Sequence, residues 1–370
     1  MAAPDGIFLA RPATVGEGIR LAVKDLLDTE GLVTTYGSAI FVDHVPERTA
    51  ESVRRLEAAG YVNVGKTNLH EFAYGITSEN AHFGDVPNPI APDRIAGGSS
   101  GGSAAALAAG LVDAALGTDS GGSIRIPAAC CGIVGFKPTF DLVPTAGCFP
   151  LAPTFDHVGP MARTVEDCEA MLAALVPGFE PATLDSLGDL HVGAAWLDEA
   201  EPSVRERVLA AVSRFQARTD VELPRTDVDP MFMHEVAGVH RDLYEEHSEL
   251  YGENIAVKVE RCLTVSDAEA AAAARHRDDY RADVERLVNG LDLLLTPTLP
   301  VVTPRVGIGD LALRGTLTRN TYPVNALGWP ALALPCGPAE EGLPTSLQLV
   351  GRAGSDPLVL AAGKQLASLL

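Results

Sequence analysis

Two glycine-serine turns hold the side chains best suited to chemistry: Ala96-Gly97-Gly98-Ser99-Ser100-Gly101-Gly102-Ser103 and Gly117-Thr118-Asp119-Ser120-Gly121-Gly122-Ser123-Ile124-Arg125. A serine hydroxyl is a weak nucleophile until a neighbour removes its proton. The nine histidines are scattered and none lies near either turn in sequence. Lysine is rare, with five in the chain at Lys24, Lys66, Lys137, Lys258 and Lys364, so each can be asked what it does. Lys24 stands between Leu21-Ala22-Val23 and Leu26-Leu27. Apolar surroundings disfavour the ammonium form and make a lysine a candidate base. Judged alone, a lysine at a strand end is more often a solvated surface residue. In the second turn the glycines allow backbone amides to converge on one point, as an oxyanion hole requires, with Ser123 opening the next helix.

Other chemistries fit these turns less well. A phosphate loop needs GxxxxGK[ST], and neither turn has the lysine. Neither supplies the GxGxxG of a dinucleotide site. Gly97-Gly98-Ser99-Ser100-Gly101 matches the GxSxG nucleophile elbow, but Pro87–Arg94 upstream is a Pro/Asn/Asp-rich loop where a strand is needed. Asp292, a candidate third member, has no histidine after it. A purely structural role, tight turns and close helix packing, suits one such turn well and two within 25 residues less well.

The elements that must position these turns alternate. A short strand at 21–23 ends at Lys24, a helix spans 49–59, and a strand follows at 61–65. Residues 76–102 are long for a structureless loop, and such loops are commonly functional. A helix at 103–109 and a strand near 112–117 lead into the second turn. Acidic helices at 164–175, 202–217, 231–251 and 266–289 alternate with strands at 191–196 and 291–295. Strands at 331–335 and 345–350 and a helix at 356–369 close the chain. This is an α/β pattern: one large central mixed β-sheet covered by helices on both faces. A single domain over 1–370 is expected, with a catalytic core at about 14–165, an acidic helical region at about 166–290, and closing strands and helix at 291–370.

The chain has 370 residues, with 49 acidic and 28 basic side chains for a net charge of −21. Nucleic-acid backbones and anionic membranes are bound by Lys/Arg patches, so neither is expected as a partner. Residues 151–300 hold 29 of the acids against 13 bases, which reads as a solvated surface. Residues 101–150 hold three acids and two bases, which reads as a buried centre. The six cysteines show no CxxC spacing, which fits reduced thiols in a cytoplasmic protein. No signal peptide and no run of about 20 apolar residues is seen.

These residues closely resemble the amidase signature family. The two turns with Pro127 look like its central signature, continued by Cys131-Gly132-Ile133-Val134-Gly135-Phe136-Lys137-Pro138-Thr139. Ala22-Val23-Lys24-Asp25 resembles its catalytic-lysine segment, and Gly65-Lys66-Thr67-Asn68 another recurring block. Val158 to Val165, Leu295-Thr296-Pro297-Thr298 and Pro330 to Gly337 also match, and the likeness thins through 180–290. The resemblance implies an amidohydrolase with a Ser–Ser–Lys triad. Ser123 would be the nucleophile, Ser99 a bridging serine in a cis peptide, and Lys24 the base. The amides of Ser120, Gly121 and Gly122 through Ser123 would form the oxyanion hole. It implies no cofactor and no metal, a small-molecule amide and water as reactants, and leaves room for a homodimer. Lys66 is expected to be structural, and Asp119 and Arg125 to brace the turn. The segment before Lys24 is shorter than in much of the family. Segment 318–327 lacks the Asp that helps hold glutamine in the family's glutamine-hydrolysing amidotransferase member, the A chain of a tRNA-dependent complex. A stand-alone amidase is therefore the first expectation and that glutamine-hydrolysing member the alternative.

Overall fold

The computed structural model describes residues 6–370. Its strands are β1 (Phe8–Ala10), β2 (Ile19–Lys24), β3 (Tyr61–Thr67), β4 (Ala114–Thr118), β5 (Val134–Lys137), β6 (Val158–Ala162), β7 (His191–Ala194), β8 (Ala217–Asp220), β9 (Leu293–Pro297), β10 (Ala331–Pro338) and β11 (Pro344–Val350). All belong to one sheet, in the order β1-β3-β2-β4-β6-β5-β10-β11-β9-β7-β8. β2 pairs in parallel with both β3 and β4, and β7 with both β8 and β9, while the remaining pairs are antiparallel. The mixed sheet expected from the sequence is the one observed.

The helices are α1 (Glu51–Ala58), α2 (Gly101–Ala108), α3 (Arg125–Cys131), α4 (Val165–Leu175), α5 (Pro202–Val212), α6 (Asp229–His247), α7 (Glu253–Leu263), α8 (Asp267–Leu287), α9 (Asp310–Leu317), α10 (Tyr322–Leu327) and α11 (Asp356–Ala367). Strand alternation explains how both sheet faces are covered. In β2, Leu21 and Val23 point to the core shared with α1, α4, α5 and α11, whereas Ala22 points to the small-residue core under α2 and α3. β4 and β9 are buried along their whole length, so their sequences read as continuous apolar runs without alternation. The buried centre expected at 101–150 is found: α2 is buried from Gly101 to Leu107 and α3 throughout. Close approach of α2 depends on Gly102, where a Cβ would lie 2.3 Å from the Asn68 carbonyl oxygen.

Several elements depart from expectation. β1, β5, β6 and β8 are short strands with too few residues to show a period. α7 divides what reads as a connection between two acidic helices. Residues 166–290 are not surface alone: α6, α7 and α8 enclose a core containing Val236, Ile255, Val259, Tyr280 and Val284 that joins Phe72 and Trp329. α8 begins where its sequence says it should, on a capping box in which Ser266 and Glu269 satisfy each other's backbone N–H groups. Among the described residues no helix is long and apolar enough to cross a membrane.

Candidate active site

Parallel register builds the centre of the site. Val23 of β2 lies opposite Leu116 of β4, so Lys24 and Thr118 emerge together at the carboxyl ends of adjacent strands. That end of a parallel pair is where α/β sheets place ligands. The Lys24 side chain is fully buried, and its Nζ donates to Ser99 Oγ and to Thr118 Oγ1, each at 2.7 Å. Burial pushes the Lys24 ammonium down to about 7, opposed by the acidic groups of Cys148, Asp119 and Asp156 around it.

Ser99 precedes α2, and the Gly98–Ser99 peptide is cis. Its carbonyl accepts from the His70 N–H at 3.2 Å and from Ser78 Oγ at 3.3 Å. The two glycine-serine turns are tied directly together. The Thr118 N–H donates to Ser100 Oγ and Ser100 Oγ donates to the Thr118 carbonyl, both at 3.2 Å. Ser103 donates to the Leu116 carbonyl at 2.9 Å. Ser100 and Ser103 thus join the buried polar network, and Ser100 makes no side-chain cap on α2.

The second turn is held by a buried ion pair. Arg125 grips Asp119 through Nη2–Oδ1 at 2.8 Å and Nε–Oδ2 at 2.9 Å, both residues being fully buried. Burial works against the Asp119 carboxylate, but Arg125 outweighs it and holds the group well below the usual carboxylate range. Arg125 also donates to Asn325 Oδ1 and Gln348 Oε1 at 2.6 Å, anchoring the turn to α10 and β11. Asp119 in turn takes the Gly122 N–H at 2.8 Å and the Ile124 N–H at 3.2 Å. Among the described residues the N–H groups of Ser120, Gly121 and Ser123 have no protein acceptor. Gly122 has a φ of +131°, and a Cβ there would meet Thr321 Oγ1 at 2.2 Å, so this turn needs glycine.

Ser123, Ser120 and Gly121 form the floor of a cavity of about 450 Å³. Ser123 Oγ has no hydrogen-bond partner among the described residues. The cavity walls come from Tyr74–Ile76, Leu151, Leu311, Arg314 and Tyr322. Asp227, Asp229, Phe232, Lys258 and Arg261, from the acidic helical region, complete them. Asp156 is a further site residue that sequence reasoning missed. It is half-buried and accepts Ser120 Oγ at 2.5 Å, the Leu151 N–H at 2.9 Å and the Ala152 N–H at 3.1 Å. Thr118, inside the quoted turn, was missed too.

The remaining lysines of the matched segments are structural. Lys66 Nζ donates to the Leu27 carbonyl and Thr34 Oγ1 at 2.6 Å and pairs with Asp25 at 3.2 Å, all out of solvent. Lys137 Nζ donates to the Pro138 carbonyl at 2.9 Å. Cys130 and Cys131 are buried, and burial pushes both thiols up, which leaves them protonated. Among the described residues no group of three His, Cys, Asp or Glu is arranged to hold a metal ion.

Fold and site together define a hydrolase of carbon–nitrogen bonds. A family model described as Amidase matches residues 12–186 and 195–360. The chain belongs to the amidase signature family. It is 34% identical over 397 residues to the A subunit of glutamyl-tRNA(Gln) amidotransferase of Roseiflexus castenholzii, covering 94% of this chain and 81% of that protein. It is 35% identical over 383 residues to the AtzE subunit of the 1-carboxybiuret hydrolase of a Pseudomonas species, covering 94% and 83%. A crystal structure of an amidase superposes with a TM-score of 0.85 at 35% identity, over 95% of this chain and 84% of that one.

Proposed function

We propose that this chain hydrolyses a carboxylic amide through an acyl-enzyme on Ser123, with Ser99 and Lys24 as its proton relay. The observation that carries the reading is the 2.7 Å contact from Lys24 Nζ to Ser99 Oγ, made by a lysine whose pKa burial lowers to about 7, beside a cavity floored by Ser123. Neutral Lys24 takes the Ser99 proton as Ser99 takes that of Ser123, and Ser123 Oγ adds to the amide carbonyl. The Ser123 hydroxyl turns toward Ser99 for this step, since catalytic hydrogen bonds often close only around substrate. The oxyanion is received among the unengaged N–H groups of Ser120, Gly121 and Ser123. The Gly122 amide is already committed to Asp119, so Gly122 contributes its backbone conformation. The C–N bond breaks as the proton returns from Lys24 through Ser99 to the leaving nitrogen. Water then adds to the acyl carbon by the same relay, the ester to Ser123 breaks, and the acid leaves. Ser123→Ala should abolish both turnover and labelling by a serine-directed fluorophosphonate. Retained labelling removes Ser123 from this role.

The names of the relatives favour a second reading with the same chemistry: release of ammonia from glutamine, as the glutamine-hydrolysing member of an amidotransferase complex. Those names weigh more for this reading than for a stand-alone amidase. Against it stands segment 318–327, whose cavity-lining members are Thr318 and Tyr322 rather than an acid. Glutaminase activity together with co-purification of a partner protein would decide for the second reading. Turnover of other amides by the isolated chain, with neither of these, would decide for the first.

A further inference from the structure

Three cations face the cavity above Ser123, and the protein answers them unequally. Lys258 of α7 is ion-paired with Asp310 and donates to the Tyr74 carbonyl at 2.7 Å. Asp310 is itself committed, taking the Ile76 N–H at 2.5 Å as well as Lys258. Arg261 is exposed at the rim. Arg314 of α9 is different. It is partly buried, its guanidinium carbon lies 5.1 Å from the Tyr74 ring centroid, and among the described residues that guanidinium has no hydrogen bond and no ion pair. Asp310 and Asp229 act on it through space, but neither bonds it. A guanidinium presents five donors in a planar fork matched to a carboxylate, and leaving them unanswered in a partly desolvated place is costly.

We propose that Arg314 binds a carboxylate of the substrate, so that the amide cleaved at Ser123 carries an acid group at the end remote from the scissile bond. The apolar wall between them, Ile76, Leu151 and Phe232, suits the intervening methylenes. An amide with a neutral tail would leave the fork empty. This assignment rests on Ser123 as the nucleophile and extends that reading to the substrate class.

The test compares the monoamides malonamate, succinamate, glutaramate and adipamate, together with glutamine, against neutral propanamide to hexanamide. Wild type, Arg314→Met, Arg314→Lys and the control Arg241→Met are each assayed, and each is titrated with the fluorophosphonate. The expected result is that one acid-bearing amide is preferred over its neutral partner. Arg314→Met should then lower its kcat/KM about 100-fold, mainly through KM, and leave neutral amides within about threefold. Arg314→Lys should recover part of the loss, and Arg241→Met, on the exposed face of α6 away from the cavity, should change little. Glutamine counts as a carboxylate bearer, so its loss in Arg314→Met supports the assignment under either reading of the function. Equal turnover of acid and neutral amides by wild type overturns the assignment. So does an equal loss on both in Arg314→Met, or no turnover of any acid-bearing amide while Ser123 labels normally. Absence of Ser123 labelling in wild type is separate, because it refutes the nucleophile itself.

Discussion

If Lys24 must be neutral to accept a proton, its depressed pKa sets the acid limb of the activity profile. With that pKa at about 7, roughly a tenth of the enzyme is competent at pH 6 and roughly a hundredth at pH 5. Below pH 6 the rate of Ser123 acylation should therefore fall close to tenfold per pH unit, and it should level off above about pH 8. The assay is kcat/KM from pH 5 to 9 on an amide without ionisable groups, with fluorophosphonate inactivation as a substrate-independent check. The same burial has a consequence for folding. The pKa of Lys24 in the fold lies below its ordinary value of 10.5, so the unfolded chain binds the extra proton as pH falls. The resulting penalty on the fold grows from pH 10.5 downward and is complete below about pH 7. At about 1.4 kcal/mol per tenfold it reaches on the order of 5 kcal/mol. Lys24→Met removes that penalty and leaves Ser99 and Thr118 each short of a partner, a cost of about 1–3 kcal/mol for each. The two effects nearly cancel at pH 7, but only the first depends on pH. Relative to wild type the variant should therefore gain about 3 kcal/mol in denaturant unfolding between pH 10 and pH 7 while losing turnover by orders of magnitude. A pH profile flat down to pH 5, or a stability difference between Lys24→Met and wild type that does not change from pH 10 to pH 7, would refute the reasoning.

Two other perturbations address the brace around this relay. Arg125→Met leaves the buried Asp119 carboxylate uncompensated, so stability should fall by about 3–5 kcal/mol in chemical denaturation and activity should go with it; a change below about 1 kcal/mol would show that the pair is not what holds the turn. Asp156→Ala releases Ser120 Oγ and the Leu151 and Ala152 N–H groups, and should lower kcat more than it raises KM. It also removes a carboxylate that raises the Lys24 pKa, so the acid limb should move to lower pH; a limb that stays put or moves up would separate Asp156 from the relay.

The sequence disclosed the chemistry more fully than the substrate, and the reason is physical. The nucleophile turn and its brace are local. Asp119, Gly122, Ser123 and Arg125 lie within seven residues, and their types state what the backbone must do. Lys24 is 75 residues from Ser99, so only the likeness to a known motif could join them. Spacing within either segment does not. Asp156 looks like any other acid in an acidic chain, since nothing local marks a carboxylate that accepts three buried donors. The cavity walls were harder still, because charge was read as solvation across 151–300. α7 shows what that reading overlooked. Its buried positions Ile255, Lys258, Val259 and Cys262 follow the i, i+3, i+4, i+7 spacing of an apolar stripe. A lysine within such a stripe must find an acceptor inside the protein, which here is Asp310. Arg314 carries no such signal, because its significance is that the fold brings it no partner.

That asymmetry has a mechanistic meaning. Of the groups proposed to move protons, Lys24 and Ser99 are bonded to each other before substrate arrives, and Ser123 waits unpartnered beside them. Of the cations that face the cavity, Lys258 is spent on Asp310 and the Tyr74 carbonyl, whereas Arg261 and Arg314 keep unspent hydrogen-bonding capacity among the described residues. A relay works best when its base and bridging group are fixed before substrate arrives, so their partners are internal and their motif is recognisable. A binding wall works only if its donors are left for something outside the chain. The place to look for this enzyme's substrate is therefore among the side chains whose bonding the fold leaves incomplete.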